Sequence, residues 1–282
     1  RRQRQMCIRD SCNGKLNVYN IKMLEGELVF GQYSEAAGLL AFESINEAST
    51  ALKEGKVDAL VTSPINKKTI QSEDFSFPGH TSYFADFLNG ESLMFMISDE
   101  LKVALVTDHI PVKEISDQIT TDLLKKKIHQ LEYSLKYDFD INRPRIAVLG
   151  LNPHMGDRGV IGNEEDKIFL PVIEEMSEKG LLVFGPYAAD SFFGNQRHLN
   201  FDAILASYHD QGLIPYKSLT FGEGTYFTAG LSKVRTSPDH GTAFEIAGKG
   251  VAKVSSFRSA MYMAVSYTHL RAHETLRYLV CR

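Results

Sequence analysis

The sequence predicts an α/β protein with a mainly parallel sheet. Short apolar runs alternate along the chain with segments of helical spacing. The runs are apolar throughout rather than at every second position, as strands covered on both faces by crossover helices must be. The length, 282 residues, is enough for about two domains' worth of core.

Residues 35–53 (EAAGLLAFESINEASTALK) have helical spacing and lead into VDALVTS (57–63), a short strand. SPINKKTI predicts a further helix, with Ser63 as N-cap and Pro64 in the first helical position. SYFADFLNG (82–90) predicts a helix stopped by Asn89-Gly90. LMFMIS (93–98) and LKVALVT (101–107) predict strands, and 111–136 a long helix. RIAVLGL (145–151) is a buried-strand run. Residues 164–178 predict a helix whose first turn carries acids, as the helix dipole favours. LLVFGPY (181–187), FDAILASY (201–208) and TYFTAGL (225–231) predict strands, and FRSAMYMA begins a last helix that the terminal segment should interrupt. Asn142-Arg-Pro144 is the best candidate for a connection between halves.

The two ends differ from the interior. Residues 1–11 (RRQRQMCIRDS) and 265–282 (VSYTHLRAHETLRYLVCR) have neither helical nor strand period and are rich in Arg. They resemble translations of the two strands of one sequencing-library adapter, so the expected organisation is an artefactual tail at 1–11, one unit of two interleaved α/β lobes at 12–264 and a second artefactual tail at 265–282. The formal net charge of −4, more negative once the tails are excluded, gives no electrostatic footing for a nucleic-acid partner. No stretch approaches the ~18 apolar residues of a membrane span. Three cysteines without paired spacing argue for a reducing, cytoplasmic setting.

Three histidines fall in equivalent places. His109 follows VALVTD, His154 follows IAVLGLNP and His209 follows AILASY. Each stands just past the C-terminal end of an expected strand, the edge at which open α/β sheets bind ligands. Three neutral imidazoles there could hold a divalent cation and leave positions open for substrate; three ordinary turn histidines are the alternative. Asp108 and Asp210 could orient the rings or act as bases. Gly156, Gly159 and Gly162 form a loop that either approaches a phosphate or is plain surface. His80 in PGHTSYF marks an anion site or a helix cap. Lys217 and Arg235 either suit a phosphorylated acid or are ordinary surface cations.

PGHT, TDH, LNPHMGDRGVIGNEE, GPYAADSFF, YHDQGLIPYK and VRTSPDHGTAFEIAGKG, in this order, resemble the 4-hydroxythreonine-4-phosphate dehydrogenase family of pyridoxal phosphate biosynthesis. The resemblance runs from about Gly26 to Ala264. It implies two α/β/α lobes like those of isocitrate and isopropylmalate dehydrogenases. It implies a homodimer with the active site at the lobe and subunit interface. The implied reaction is NAD- or NADP-dependent oxidation of 4-phosphooxy-L-threonine, with loss of CO₂ to give 3-amino-2-oxopropyl phosphate. The implied metal ligands are His109, His154 and His209, with His209 drawn from the neighbouring subunit and zinc, magnesium or cobalt as the cation. His80, Thr81, Lys217 and Arg235 would bind substrate, and Tyr226 stands where the family has an Asn. DHGTAFEIAGKG resembles an adenosine-side NAD loop, which places His240, Gly241 and Thr242 at the cofactor. The family opens with a strand and a GDPxGIGPE-like turn that this sequence lacks, so an N-terminal truncation is expected.

Removal of the hydroxyl proton needs a base. Lys217, Asp210 and Asp190 are the candidates. Two other readings stay open: a sister dehydrogenase of a phosphorylated sugar acid, such as a tetronate 4-phosphate, and a three-histidine hydrolase using an activated water.

Overall fold

The structure is a computed structural model that describes residues 18–21, 29–220, 222 and 224–280, with side chains as far as 271. The 1–11 segment and all three cysteines lie outside the described residues. Eight strands form one sheet in the order β1-β8-β7-β2-β3-β6-β4-β5. They are β1 (Ala59–Val61), β2 (Leu93–Ile97), β3 (Lys102–Leu105), β4 (Arg145–Leu149), β5 (Leu182–Tyr187), β6 (Ala203–Ala206), β7 (Thr225–Ala229) and β8 (Val234–Pro238). The β1/β8, β3/β6, β6/β4 and β4/β5 pairs are parallel. Strand β2 runs antiparallel to β3 and β7, and β7 antiparallel to β8.

Both faces of the sheet are covered, which explains the unbroken apolar runs. Phe95, Val148 and Leu205 point into one core layer. Their chain neighbours Met96, Leu149 and Ile204 point into the opposite layer, because successive strand residues face opposite sides. On the first face lies α4 (Thr121–Tyr137), which buries Leu124, Ile128, Leu131 and Leu135 at helical spacing. On the second lies α7 (His209–Thr220), which contributes Leu213 and Tyr216. A smaller apolar cluster, including Ile45, Phe75 and Phe84, sits under α1 (Glu35–Lys53) and α2 (His80–Phe87). Helix α1 starts where expected because the Ser34 hydroxyl accepts from the Ala37 N–H.

Several elements depart from the sequence expectation. No helix forms at SPINKKTI. There Asn66 Oδ1 accepts the backbone N–H of Lys68 and of Thr69, at 3.1 and 3.0 Å, and the chain makes only a turn before Gln71. The expected helix over 111–136 is a 3-10 turn, then α3 (Ile115–Gln118), then α4. The break falls at Ile119, whose ψ of 99° is extended, and Thr120 caps the new helix through its hydroxyl. The helix expected at 164–178 opens as a π turn at Glu165–Phe169 before α5 (Leu170–Glu178). The segment 234–238 carries no strand signal because VRTSP is polar, yet all five residues are buried as β8. The segment 209–220 carries no helix signal because Gly212 and Pro215 interrupt its pattern, yet it forms α7.

The last helix, α8 (Ser255–Val280), is not interrupted at 265. Ala260, Ala264 and Tyr267 form one buried stripe. Tyr267 packs on Phe139 and Phe227, with ring centroids 4.5 and 5.1 Å apart. Arg271 Nε donates to Asp138 at 2.6 Å. Among the described residues no helix is long and apolar enough to cross a membrane.

Candidate functional site

The C-terminal ends of β3, β6 and β4 are stitched together. Thr107 Oγ1 donates to the Ser207 carbonyl at 2.8 Å, and Ser207 Oγ to the Leu149 carbonyl at 2.9 Å. Gln211 Oε1 accepts the Ser207 N–H at 2.7 Å, and its Nε2 donates to the Gly150 carbonyl at 2.6 Å. These bonds fix the turn that starts α7 at His209. Helix α7 can lie so close to the sheet only because residue 212 is Gly. A Cβ there would meet Leu105 Cδ2 at 2.8 Å and Val103 Cγ1 at 2.9 Å.

Two of the three histidines converge as a result. The His109 and His209 rings lie 5.5 Å apart between centroids. His209 Nδ1 is 2.7 Å from Asp210 Oδ1, which leaves Nε2 available, the arrangement by which a carboxylate orients a ligating imidazole. Desolvation, then Lys67, holds the His109 ring below its ordinary pKa against the opposing pull of Asp108. The His109 ring therefore stays neutral and able to ligate, and the spacing of the two rings suits imidazoles sharing one cation.

His154 does not join them. Among the described residues no three His, Cys, Asp or Glu side chains are gathered to hold a metal. His154 is exposed, in a run of five left-handed residues from His154 to Arg158 with φ between 44 and 75°. A run of that kind is strained and needs outside support. The buried Glu165 supplies it. Its Oε1 accepts the N–H groups of Leu151 and Asn152, both at 2.7 Å, and its Oε2 the Asn152 amide at 2.9 Å. Glu164 takes the Ser116 hydroxyl and the other reach of Asn152 Nδ2. Of the two sequence readings of the Gly156–Gly162 loop, the geometry disfavours phosphate approach, because the carboxylates of Glu164 and Glu165 stand beside it, with Glu165 Oε2 3.0 Å from where a Cβ on Gly156 would lie, and would repel an anion.

Beside the histidine pair is a cavity of about 230 Å³. Alternate residues of β7 and β8 contribute Tyr226, Thr228, Arg235 and Ser237, and β2 contributes Met94. The start of α2 contributes Gly79, His80 and Thr81, and Lys67, His109, His240 and Gly241 complete it. Five basic side chains line it and no acidic one does.

Arg235 is 3% exposed. Its guanidinium donates to Thr62 Oγ1 and Thr228 Oγ1 and lies 5.8 Å from the Phe84 ring centre. Among the described residues it has no carboxylate partner, and burial lowers its pKa to about 9. His80 Nε2 is buried with no hydrogen-bond partner. Desolvation, then Arg235 and Lys67, lowers its pKa to about 3, so the ring is neutral. The N-cap of α2 is Gly79, which offers no side-chain cap; Thr81 does not cap it either, so the helix's first N–H groups remain for a ligand. The hydroxyl of Tyr226 is pushed up to about 12 by burial and then by Asp239, which keeps it a neutral donor. A cavity with buried cationic and neutral donors and no acid suits an anion.

A second cavity, of about 720 Å³, shares Pro64, His240 and Gly241 with the first. Thr242, Ala243, Gly248 and Gly250 also line it, so the sequence's cofactor candidates stand at the junction of the two spaces. Lys217 is exposed on α7, and Asp190 is exposed in the first turn of α6 (Ala189–Gly194); neither lines the anion cavity. Asp210 stands beside His209. The sequence reading did not single out Lys67, Thr62, Thr228 or Glu165. Lys67 could have been found by the rule that located the histidines, since it follows the end of β1 as they follow β3, β4 and β6.

Residues 2–264 match the family model described as pyridoxal phosphate biosynthetic protein PdxA. A curated protein of Bacteroides thetaiotaomicron named 4-hydroxythreonine-4-phosphate dehydrogenase is 50% identical over 262 residues, covering 92% of this chain and 72% of that protein. A crystal structure of a protein of that name from Klebsiella pneumoniae is 37% identical, with a TM-score of 0.73 over 84% of this chain and 73% of the other. A terephthalate 1,2-cis-dihydrodiol dehydrogenase from Burkholderia xenovorans, 24% identical with a TM-score of 0.62 over 88% of this chain and 79% of the other, shares the fold. The anion cavity, the histidine pair and the fold therefore sit in a chain that belongs to the PdxA family of pyridoxal phosphate biosynthesis.

Proposed function

We propose that the chain oxidises the C3 hydroxyl of 4-phosphooxy-L-threonine with NAD or NADP, and that the resulting β-keto acid loses CO₂ to give 3-amino-2-oxopropyl phosphate. The observation that carries this reading is the acid-free cavity around the buried, carboxylate-free Arg235, beside the His109–His209 ring pair. Arg235, His80 and Thr81 take the anionic end of the substrate. Tyr226 donates a hydrogen bond from the sheet.

His109 and His209 fit a divalent cation (zinc, magnesium or cobalt), with His154 from a neighbouring copy completing the set in a homodimer. The exposure of His154 away from the other two in one chain supports that division, with His154 rather than His209 as the donated ligand. A bound cation would lower the hydroxyl pKa and offset negative charge during decarboxylation. Asp210 orients His209 and is the candidate base closest to the pair. The larger cavity next to His240, Gly241 and Thr242 has room for a dinucleotide, whose nicotinamide would accept the hydride. The small residues along it allow close approach of a cofactor backbone.

The test is reduction of the nicotinamide cofactor, followed by absorbance. 4-Phosphooxy-L-threonine is compared with a tetronate 4-phosphate, each with and without chelator. Metal-dependent turnover of the threonine compound alone supports the proposal. Turnover of the sugar acid alone moves the chain to the sister activity, which Tyr226 in place of the family's Asn favours. Family membership disfavours the hydrolase reading.

A further inference from the structure

Lys67 has no place in the reading above. It sits in the Asn66-capped turn between β1 and α2, where Asn66 Oδ1 also accepts from the Thr69 hydroxyl at 3.3 Å. The turn is thus held by its own side chain, and Lys67 is exposed at its surface. Its ammonium arm nonetheless lines the anion cavity. Its Cε lies 3.9 Å from where a Cβ on Gly79 would stand, so the arm passes over the N-cap of α2. Among the described residues no carboxylate pairs with it. A lysine at a surface turn gains nothing for the fold by leaning over a helix N-terminus, where the dipole is positive and repels it. It crowds two further groups, depressing the basicity of both His80 and His109. Three positive elements that repel one another are thus gathered at one opening: Lys67, Arg235 and the start of α2. The arrangement is stable when a dianion lies between them.

We infer that Lys67 is a substrate-binding residue that, with Arg235, selects a doubly charged phosphate monoester over a singly charged acid. Arg235 is the buried cation and Lys67 the exposed rim cation facing the same anion. The inference rests on the cavity being the substrate site and goes beyond it by assigning Lys67 a role in specificity. Its position next to both His80 and His109 also puts the phosphate end within one side chain's reach of the histidine pair.

The experiment measures inorganic phosphate binding by calorimetry to the wild-type chain and to Lys67→Met, Lys67→Arg and Arg235→Lys. It then measures KM and kcat with the phosphorylated substrate. Lys67→Met should weaken phosphate by about tenfold or more, the value of one charge-assisted hydrogen bond. It should raise KM by a similar factor with little change in kcat, while Lys67→Arg restores most of the affinity. Melting without phosphate should be unchanged, since Lys67 is exposed. Wild-type phosphate affinity in Lys67→Met, with Arg235→Lys impaired, overturns the role of Lys67 and leaves the site standing. No phosphate binding by the wild type, or unaltered binding in both variants, overturns the site and the inference together.

Discussion

Arg235→Met should stabilise the empty protein and destroy its affinity for anions. The guanidinium is buried without a counter-charge, and its pKa falls from 12.5 to about 9. At about 1.4 kcal/mol for each tenfold in proton affinity, the folded state carries a penalty of roughly 5 kcal/mol for keeping the charge. The sign follows from linkage. The unfolded chain holds this proton more tightly than the folded one, so stability rises with pH between about 9 and 12.5, and at pH 7 the whole penalty is present. Against it stand the hydrogen bonds to Thr62 and Thr228, about 1 kcal/mol each. The smaller volume of Met loses about another 1 kcal/mol in packing. The balance is a gain of roughly 1–2 kcal/mol.

For a chain of this size that is an upward shift in Tm of about 2–6 °C. Anion binding should reverse the order. At a hundredfold excess over Kd, phosphate should stabilise the wild type by about 2.7 kcal/mol and the variant hardly at all. The assay is thermal unfolding by circular dichroism with and without phosphate, and the two proteins should exchange rank. A variant that melts well below wild type without phosphate, yet is still protected by it, refutes the reasoning. Arg235 would then be a structural residue satisfied by its two threonines.

The same logic reaches other positions. His80, neutral with a pKa of about 3, is stabilising only while the unfolded chain's imidazole is also unprotonated. Stability should fall as pH drops from about 6.5 toward 3, by on the order of 5 kcal/mol in all, and acid titration of His80→Gln should show a correspondingly shallower slope. Glu165→Ala removes the acceptor of three donors around 151–152; hydrogen exchange at Leu151 and Asn152 should rise steeply, with a stability loss of about 2–4 kcal/mol, and unchanged exchange would show that the left-handed turn supports itself. Leu205→Ala opens a cavity in a fully buried layer and should lower the urea midpoint by the equivalent of about 2–5 kcal/mol, with phosphate affinity intact.

How much of this was legible depends on what each signal measures. Strands covered on both faces announce themselves by composition, so Ile146–Leu149 and Ala203–Ala206 were readable from their apolar runs. Strand β8 was not, because its buried residues are polar ones that satisfy each other: Arg235 with Thr62 and Thr228, and Thr236 Oγ1 with the Ala260 carbonyl. The site is built where hydropathy is least informative. Helix α7 was hidden for a related reason, since Gly212 is required by its close approach to β3 and lowers the helix signal that would reveal it.

The histidines show where topological reasoning stops. Finding three of them at the ends of strands β3, β6 and β4 placed them at one edge of the sheet, and the parallel β3/β6 and β6/β4 pairs bear that out. An edge is not a distance. His109 and His209 meet because Thr107 and Ser207 bind two adjacent strand ends directly, with only a few residues of chain beyond each. His154 stands five residues past Leu149, on the far side of β6, and the chain between turns left-handed. The carboxylate that braces this turn, Glu165, lies eleven residues further on, in a π turn that no hydrophobic period reveals. A loop so firmly braced does not simply swing round to join the pair in its own chain. The brace at Glu165 holds His154 exposed, apart from the His109–His209 ring pair. The placement of the three histidines is therefore set by Glu165 and Thr107 as much as by their own positions in the sequence.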